Sequence, residues 1–323
     1  MFELIEINKR ILKKIPLYEL AVIIFVLIVA LYFLLTKTGS YFDYKIFLAT
    51  AQGDFENYYY GYWLLPIFKI LSYLPFEFGY LLWIILSLIG VIFAARVFSG
   101  NVIVALLSYQ MSYMLFWGQI SGIICGLLGL FWWAIHRRRW VLAGIAFLFV
   151  AAKPQSGGMF VLLLWIFSEI QWKHKIQVLL IPFVGFVLSL VIYPGWIIDV
   201  ISRIGGVITW GNVSLWQWIG PFALLLFIPV LIVPMTKQNR FLALTSACIL
   251  SIPYFLQTDL LTLFVFPIGI IPIILGYLPA IMPFYIGYEG QHIGFLVPLF
   301  VYFSILIPEV YRRNNSNKQQ KQT

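Results

Sequence analysis

Long apolar segments recur from one end of the chain to the other, separated by short polar connections. A bilayer core about 30 Å thick is crossed by roughly 20 mostly apolar residues in a helix, and such segments fill most of the sequence. The pattern therefore predicts an all-α polytopic integral membrane protein with a single transmembrane domain over 1–323. The predicted spans are 18–36, 78–97, 102–117, 120–135, 140–152, 156–170, 176–193, 219–235, 241–256, 260–276 and 292–309.

Basic residues give the predicted orientation. Their clusters lie at the N-terminus, at Arg96, at 136–139, at 173–175, at 237–240 and at 312–321. Cytoplasmic connections carry the excess of Lys and Arg, so the basic segment 1–17 and the polar tail 310–323 are both predicted to be cytoplasmic. The tail is predicted to be disordered from Asn314.

Two cytoplasmic termini require an even number of crossings. The apolar stretch Pro279 to Gly287 is short, and it forms either an extra crossing or a re-entrant turn. About ten to twelve transmembrane helices are therefore predicted.

With both termini in the cytoplasm, the two long connections, 37–77 and 194–218, are predicted to lie on the non-cytoplasmic face of a cell membrane. The first is rich in aromatic residues and is predicted to form two interfacial helices, where Tyr and Trp are favoured.

Composition excludes several other classes of protein. Of the 323 residues 62% are hydrophobic and 10% are charged, against about 25% charged in a soluble domain. The net charge of +9 lies in the connecting clusters, so nucleic acid is not a predicted partner. Cys125 and Cys248 lie within apolar segments, and no disulfide framework or metal site is predicted.

Few polar side chains are predicted to lie at membrane depth, where an ionisable group is costly and marks a functional candidate. The candidates are Asp43, Gln119, Lys153, Gln155 and Asp259. Each has a simpler explanation: a solvated or helix-capping aspartate for Asp43, a helix cap for Asp259, a snorkelling cation for Lys153, and helix–helix hydrogen bonds for the two glutamines. All five map to the predicted outer face, which favours an outward-opening cavity lined by carboxylates and a cation.

Several strings point to a known family. The combination of "FDY" after the first span with "GQISG", "VLAGIAFLFVAAKPQ" and "SIPYFLQTDLL" resembles the α-mannosyltransferase family of the glycosyltransferase C superfamily. The resemblance covers roughly residues 18 to 276, and its most specific part is GQ, AG and KPQ with the basic turn "HRRRW" between them. It implies a glycosyltransferase C-type fold and a polyprenyl-phosphate-linked sugar donor, the sugar being mannose-like or another hexose or pentose.

In that superfamily an aspartate early in the first outer loop is catalytic, and Asp43 is the matching position. A carboxylate there can take the proton of the acceptor hydroxyl, on a lipid or glycan, while the sugar is transferred with inversion. Lys153 is the candidate for stabilising the leaving phosphate, and Arg203, in the second outer loop, is a weaker one. Gln119, Gln155 and Asp259 complete the predicted substrate-binding set. No metal or other cofactor is predicted, because a lipid phosphate is already an activated leaving group.

Two other functions stay open. A lipid-sugar transporter or flippase would also place charges in the membrane, although at several depths rather than at one face. A non-catalytic, lipid-binding family member is the other alternative. Family members usually have Tyr-Pro-Pro-Leu after the first outer loop, where this chain has "YWLLPIF" at Tyr62 to Phe68. Membrane lipids are predicted partners, and the sugar, the acceptor and the oligomeric state stay open.

Overall fold

The chain is almost entirely helical in a computed structural model that describes residues 15–204 and 211–320. No strand occurs in these ranges, where an isolated antiparallel bridge joins Asn212 and Leu256. The predicted all-α class is thereby confirmed. The first helices are α1 (Leu17–Thr36), α2 (Phe42–Ala51), α3 (Leu65–Leu71), α4 (Phe76–Phe98), α5 (Val102–Leu107), α6 (Tyr109–Trp117), α7 (Ser121–His136), α8 (Trp140–Val150), α9 (Met159–Phe167) and α10 (Trp172–Ile192). The others are α11 (Trp196–Ile204), α12 (Trp216–Ile219), α13 (Phe227–Ile232), α14 (Lys237–Ser251), α15 (Leu261–Phe264), α16 (Ile270–Leu275), α17 (Leu278–Ile281), α18 (Pro283–Ile286) and α19 (Leu296–Gln320).

Helical turns of other types link these elements. A π-helical turn follows α8, at Pro154–Gly158. The 3-10 helices are Tyr62–Leu64, Gly220–Leu226, Gln257–Leu260 and Gly287–Phe295.

Four helical segments of the described chain are long and apolar enough to cross a membrane: Leu17–Thr36, Phe76–Phe98, Trp172–Ile192 and Glu289–Arg312. The pair α6 and α7, bent by 117°, adds a fifth if it is one span. The protein is therefore a polytopic membrane protein. The count of about ten to twelve crossings stays a prediction, because several predicted spans contain shorter helices.

Two predicted spans are interrupted, and a third changes its helix type. Span 102–117 breaks where Ser108 ends α5 and caps α6, its Oγ accepting the Met111 N–H at 3.2 Å. Span 260–276 breaks between Phe264 and Ile270, a stretch that contains a proline and a glycine, both weak helix formers. In 219–235 a 3-10 helix precedes α13.

By its internal contacts the described chain separates into two compact units. The larger holds 15–204 together with the returning segment Thr258–Pro267, and the smaller holds 211–257 and 268–320. In the larger unit α4 packs on α7, and α8 packs on both α7 and α10. The α4–α7 contact needs glycine, because a Cβ on Gly126 would lie 2.4 Å from the Gly90 Cα. Small residues at such a contact let two membrane helices approach closely.

The connection 37–77, which is predicted to be the first outer loop, contains α2 and α3, in agreement with the two helices expected there. Their aromatic side chains pack into the protein: Phe47 stacks on Phe68 with ring centroids 4.6 Å apart and contacts Trp83 of α4 at 5.4 Å. The predicted interfacial position of these helices stays a prediction.

The ends of the chain differ from expectation in one respect. The tail predicted to be disordered from Asn314 continues α19 as far as Gln320, as its Lys and Gln residues, which are good helix formers, allow. The basic segment 1–14 and residues 321–323 lie outside the described residues, as does 205–210 of the predicted second outer loop.

Candidate active site

A buried lysine lies at the centre of a polar cluster in the larger unit. Lys153 has no exposed surface, and its Nζ forms a 2.6 Å ion pair with Asp259 Oδ1. The same Nζ donates to Gln119 Oε1 at 3.0 Å and to Ser121 Oγ at 3.3 Å. The three N–H donors of an ammonium are thus all used. The snorkelling interpretation of Lys153 is wrong, because this side chain turns into the protein.

The break after α8 positions Lys153. Pro154, which cannot donate a backbone hydrogen bond, opens the π-helical turn, and Lys153 is the residue immediately before it. This turn requires Gly157, where a Cβ would lie 2.2 Å from the Val150 carbonyl oxygen. Single π-helical turns occur frequently at functional sites.

A sharp bend between α6 and α7 positions Gln119 and Ser121. Gly118 ends α6 with a φ of 74°, in the left-handed region, and a Cβ there would lie 2.8 Å from Tyr44 Cβ. Trp83 Nε1 donates to the Gln119 carbonyl oxygen at 3.3 Å and fixes the backbone at the bend. The bend therefore turns both side chains toward Lys153.

Asp43 lies in the first turn of α2 and is half-buried. Burial raises the pKa of Asp43 from 3.8 to about 7, against the opposing effects of the Lys153 charge and of a hydrogen bond with the Gln119 side chain. Gln119 Oε1 already accepts bonds from Lys153 and Tyr60, so its amide NH₂ is the group that can donate to the carboxylate. Asp43 is the more exposed of the two carboxylates in the cluster.

Asp259 returns to the larger unit on a 3-10 helix, Gln257–Leu260. It is fully buried, and its Oδ1 accepts the Ser121 hydroxyl at 2.8 Å besides the lysine. The helix-cap interpretation of Asp259 is wrong: the residue before α15 is Leu260, and that helix has no side-chain cap. The carboxylate instead balances the charge of Lys153.

The tyrosines of the connection 37–77 also belong to the cluster, although the sequence patterns described above do not point to them. Tyr60 OH donates to Gln119 Oε1 at 3.2 Å, and Lys153 Nζ lies 5.7 Å from the centre of its ring. Tyr58 packs between Tyr60 and Tyr62, with centroids at 5.6 and 5.5 Å. The run of tyrosines at 58–62 was the available signal for them.

Arg203 lies apart from this cluster, on α11. It lines a cavity of about 560 Å³, and its guanidinium donates to Tyr62 OH at 3.2 Å. Carboxylates and aromatic rings form much of the remaining wall, among them Glu56, Asp199, Phe55, Tyr193 and Trp196. The tyrosine row from Tyr62 to Tyr60 connects this cavity to the buried cluster.

The structure thus brings together Asp43, Gln119, Lys153 and Asp259, four of the five residues predicted to share a face. Gln155 is half-buried on the π-helical turn and makes no side-chain hydrogen bond within the described residues. In that part of the chain no group of three or more His, Cys, Asp or Glu side chains could hold a metal ion. The contact of Lys153 with a donor phosphate stays a prediction, and it would require one of the three Nζ bonds to be exchanged.

Comparison with known protein families gives a match. The family model of glycosyltransferase family 87 matches residues 58–266, which is more than half of the chain. Gln119, Lys153, Arg203 and Asp259 fall inside this range, whereas Asp43 precedes it. No curated protein and no solved structure matches the chain.

Proposed function

This chain belongs to glycosyltransferase family 87, and from that membership and the cluster around Lys153 we propose that it transfers a sugar from a polyprenyl-phosphate donor to a hydroxyl group of a lipid or glycan. The sugar is a mannose-like or other hexose or a pentose, and the reaction occurs on the non-cytoplasmic face with inversion at the anomeric carbon. The fold is proposed to be of the glycosyltransferase C type.

One observation supports this proposal above the others: the two carboxylates of the cluster lie in different environments. Asp259 is fully buried and paired with Lys153. Asp43 is half-buried, and its pKa is raised to about 7, where a general base is most effective. Carboxylates with such different surroundings take different roles. Asp43 is therefore the catalytic base, and Asp259 is a positioning residue.

The chemical step is a single displacement. The Asp43 carboxylate takes the proton of the acceptor hydroxyl as its oxygen forms a bond to the anomeric carbon. The bond between that carbon and the phosphate oxygen breaks, and the phosphate leaves with the electron pair. Attack from the side opposite the leaving group inverts the configuration. A cation near the departing phosphate stabilises its charge, and Arg203, which lines an open cavity, is better placed to do so than the fully bonded Lys153.

The test is a transfer assay with purified protein, a panel of polyprenyl-phosphate sugars and lipid or glycan acceptors. Wild-type protein should transfer one of the sugars, and NMR should show the inverted anomer in the product. Asp43→Asn should still bind the donor, and its turnover rate should fall by a factor of about 10² to 10⁴. Asp54→Asn is the matched control, since Asp54 is an exposed carboxylate in the same loop that accepts a local backbone bond from Glu56 N–H at 3.1 Å. Full activity in Asp43→Asn would refute the assignment, and donor binding without any transfer would favour the non-catalytic alternative.

A further inference from the structure

A second cavity lies at the opposite ends of the helices that form the candidate active site. It has a volume of about 590 Å³, a size typical of small-ligand sites. α7 begins at Ser121, in the buried cluster, and ends at His136, which lines this cavity. Sixteen residues in that helix span ~24 Å. The lining of the second cavity, which we call the basic cavity, includes His136, Arg138, Trp140, Glu169, Gln171 and His174.

We propose that the basic cavity binds the phosphate headgroup of an anionic membrane lipid. The distance along α7 approaches the ~30 Å thickness of a bilayer core. With the buried cluster near the outer interface, the cavity lies at the depth of the inner headgroups. This is also the face to which the Lys and Arg pattern assigns the cytoplasm, where anionic lipids attract basic pockets between helices.

Arg138 is the cation available to such a ligand. Its neighbours Arg137 and Arg139 lie over the Trp133 ring, at 5.8 and 5.2 Å, and Lys175 donates to the Ile166 carbonyl oxygen at 3.0 Å. The Arg138 guanidinium makes no hydrogen bond or ion pair within 15–204 and 211–320. An arginine fork can bind phosphate through two parallel hydrogen bonds.

The backbone of Arg138 gives a second, independent indication. Its φ of 55° lies in the left-handed region, and its N–H donates to Ile135 O at 3.0 Å at the end of α7. Glycine is the usual residue at such a helix end, because a side chain there is strained. Strained residues cluster at functional sites, and this one lines the cavity.

The other walls suit a phosphate ester with a single charge. α8 and α10 both begin at the cavity, and neither has a side-chain cap, so N–H groups of their first turns remain for an anion. The His174 ring stacks on Trp140 at 4.4 Å. Its Nδ1 donates to Gln177 Oε1 at 2.9 Å, so Nε2 of the neutral ring is an acceptor for a hydroxyl of the headgroup. Glu169 adds a negative charge, and this favours a phosphate diester such as phosphatidylglycerol over a more highly charged headgroup.

The experiment is lipid binding by purified full-length protein in detergent, followed by native mass spectrometry at several lipid concentrations. Phosphatidylglycerol should bind in preference to phosphatidylcholine. Arg138→Gly should weaken phosphatidylglycerol binding by about tenfold or more, the loss expected for a charged hydrogen bond. The same variant should unfold at an equal or higher temperature than wild type, because it relieves backbone strain, and this separates lost binding from misfolding.

Lys173→Gln is the matched control. It removes the same charge from the same basic region, but Lys173 is exposed and does not line the cavity. Its effect should be at most about twofold at physiological salt. Equal losses in Lys173→Gln and Arg138→Gly would overturn the proposal in favour of a diffuse basic surface. Displacement of the lipid by millimolar inorganic phosphate or glycerol 3-phosphate would overturn the lipid assignment in favour of a soluble phosphate ester.

Discussion

Lys153 and Asp259 form a 2.6 Å ion pair between side chains with no exposed surface. Burying two charges costs several kcal/mol per ion, and the pair is stable only when further hydrogen bonds satisfy it. Gln119 and Ser121 supply those bonds to the lysine, and Ser121 also donates to Asp259 Oδ1. Asp259 Oδ2, by contrast, has no hydrogen-bond partner among the described residues. The pair therefore joins the turn after α8 to the segment that returns at Thr258–Pro267.

The first prediction concerns the stability of this pair. Lys153→Met should destabilise the protein by about 3–5 kcal/mol, because it leaves the Asp259 carboxylate buried and unpaired. Asp259→Leu should have a similar cost, and the double variant should regain a large part of the loss, since neither charge then remains. Thermal unfolding of the detergent-purified variants measures these changes in stability. Lys69→Met, at an exposed lysine, is the control. A double variant no more stable than either single one would contradict the pairing.

The second prediction concerns pH. Asp43 must be ionised to accept a proton, and burial raises its pKa to about 7. kcat/KM should therefore rise with pH through about 7 and fall about tenfold per unit below it. The residual activity of Asp43→Asn should lack this dependence. Because folding raises this pKa, the stabilisation due to Asp43 is present below its ordinary value of 3.8 and is lost as pH rises through about 7. A flat wild-type profile from pH 5.5 to 9 would exclude Asp43 as the base.

Much of the site could be predicted from sequence, since a charged side chain in an apolar chain is conspicuous. Asp43, Lys153 and Asp259 were singled out for that reason, and the structure brings them into one cluster. Which of them pair could not be predicted, because the Lys153–Asp259 contact depends on tertiary packing. The same limit explains why both simple interpretations, a snorkelling lysine and a capping aspartate, were wrong.

The helical class was equally predictable, whereas the helix breaks were not. A hydropathy window does not distinguish one long helix from two short ones. Ser108, inside a predicted span, ends one helix and caps the next. Tyr60 is not evident from the sequence for a different reason: it lies in a tyrosine-rich loop, and its contacts with Gln119 and Lys153 depend on tertiary packing.

The third prediction concerns that bond. Tyr60→Phe removes one of the two donors to Gln119 Oε1 and lets the amide turn away from Asp43. A neutral hydrogen bond is worth about 1 kcal/mol, so kcat should fall about fivefold with little change in the donor KM. The apparent pKa of the rate should rise, because Asp43 loses part of a hydrogen bond to its charged form. Tyr59→Phe removes the same group from the half-buried neighbour and should leave both parameters unchanged.

The last prediction assigns the cavity beside α11 to the donor phosphate. Arg203 is held from both sides: its Nε donates to the Asp199 carbonyl oxygen at 2.8 Å and its Nη2 to Tyr62 OH at 3.2 Å. A guanidinium fixed in this way can bind a phosphate with little further loss of side-chain entropy. Arg203→Gln should raise the donor Kd by about 10- to 100-fold, as expected from about 1.5–3 kcal/mol for a charged hydrogen bond. Arg203→Lys should keep part of the affinity as a point charge.

Equilibrium binding of a non-hydrolysable polyprenyl-phosphonate sugar measures the donor affinity of each variant without turnover. Lys69→Gln is the matched control, because it removes an exposed cation of the connection 37–77 that does not line the cavity. Asp43→Asn should bind the analogue as wild type does, so that the phosphate contact and the proton transfer are separable. If Arg203→Gln instead keeps its donor affinity and loses affinity for the acceptor, the cavity holds the acceptor, and the donor phosphate must reach Lys153 by displacing one of its three hydrogen-bond partners.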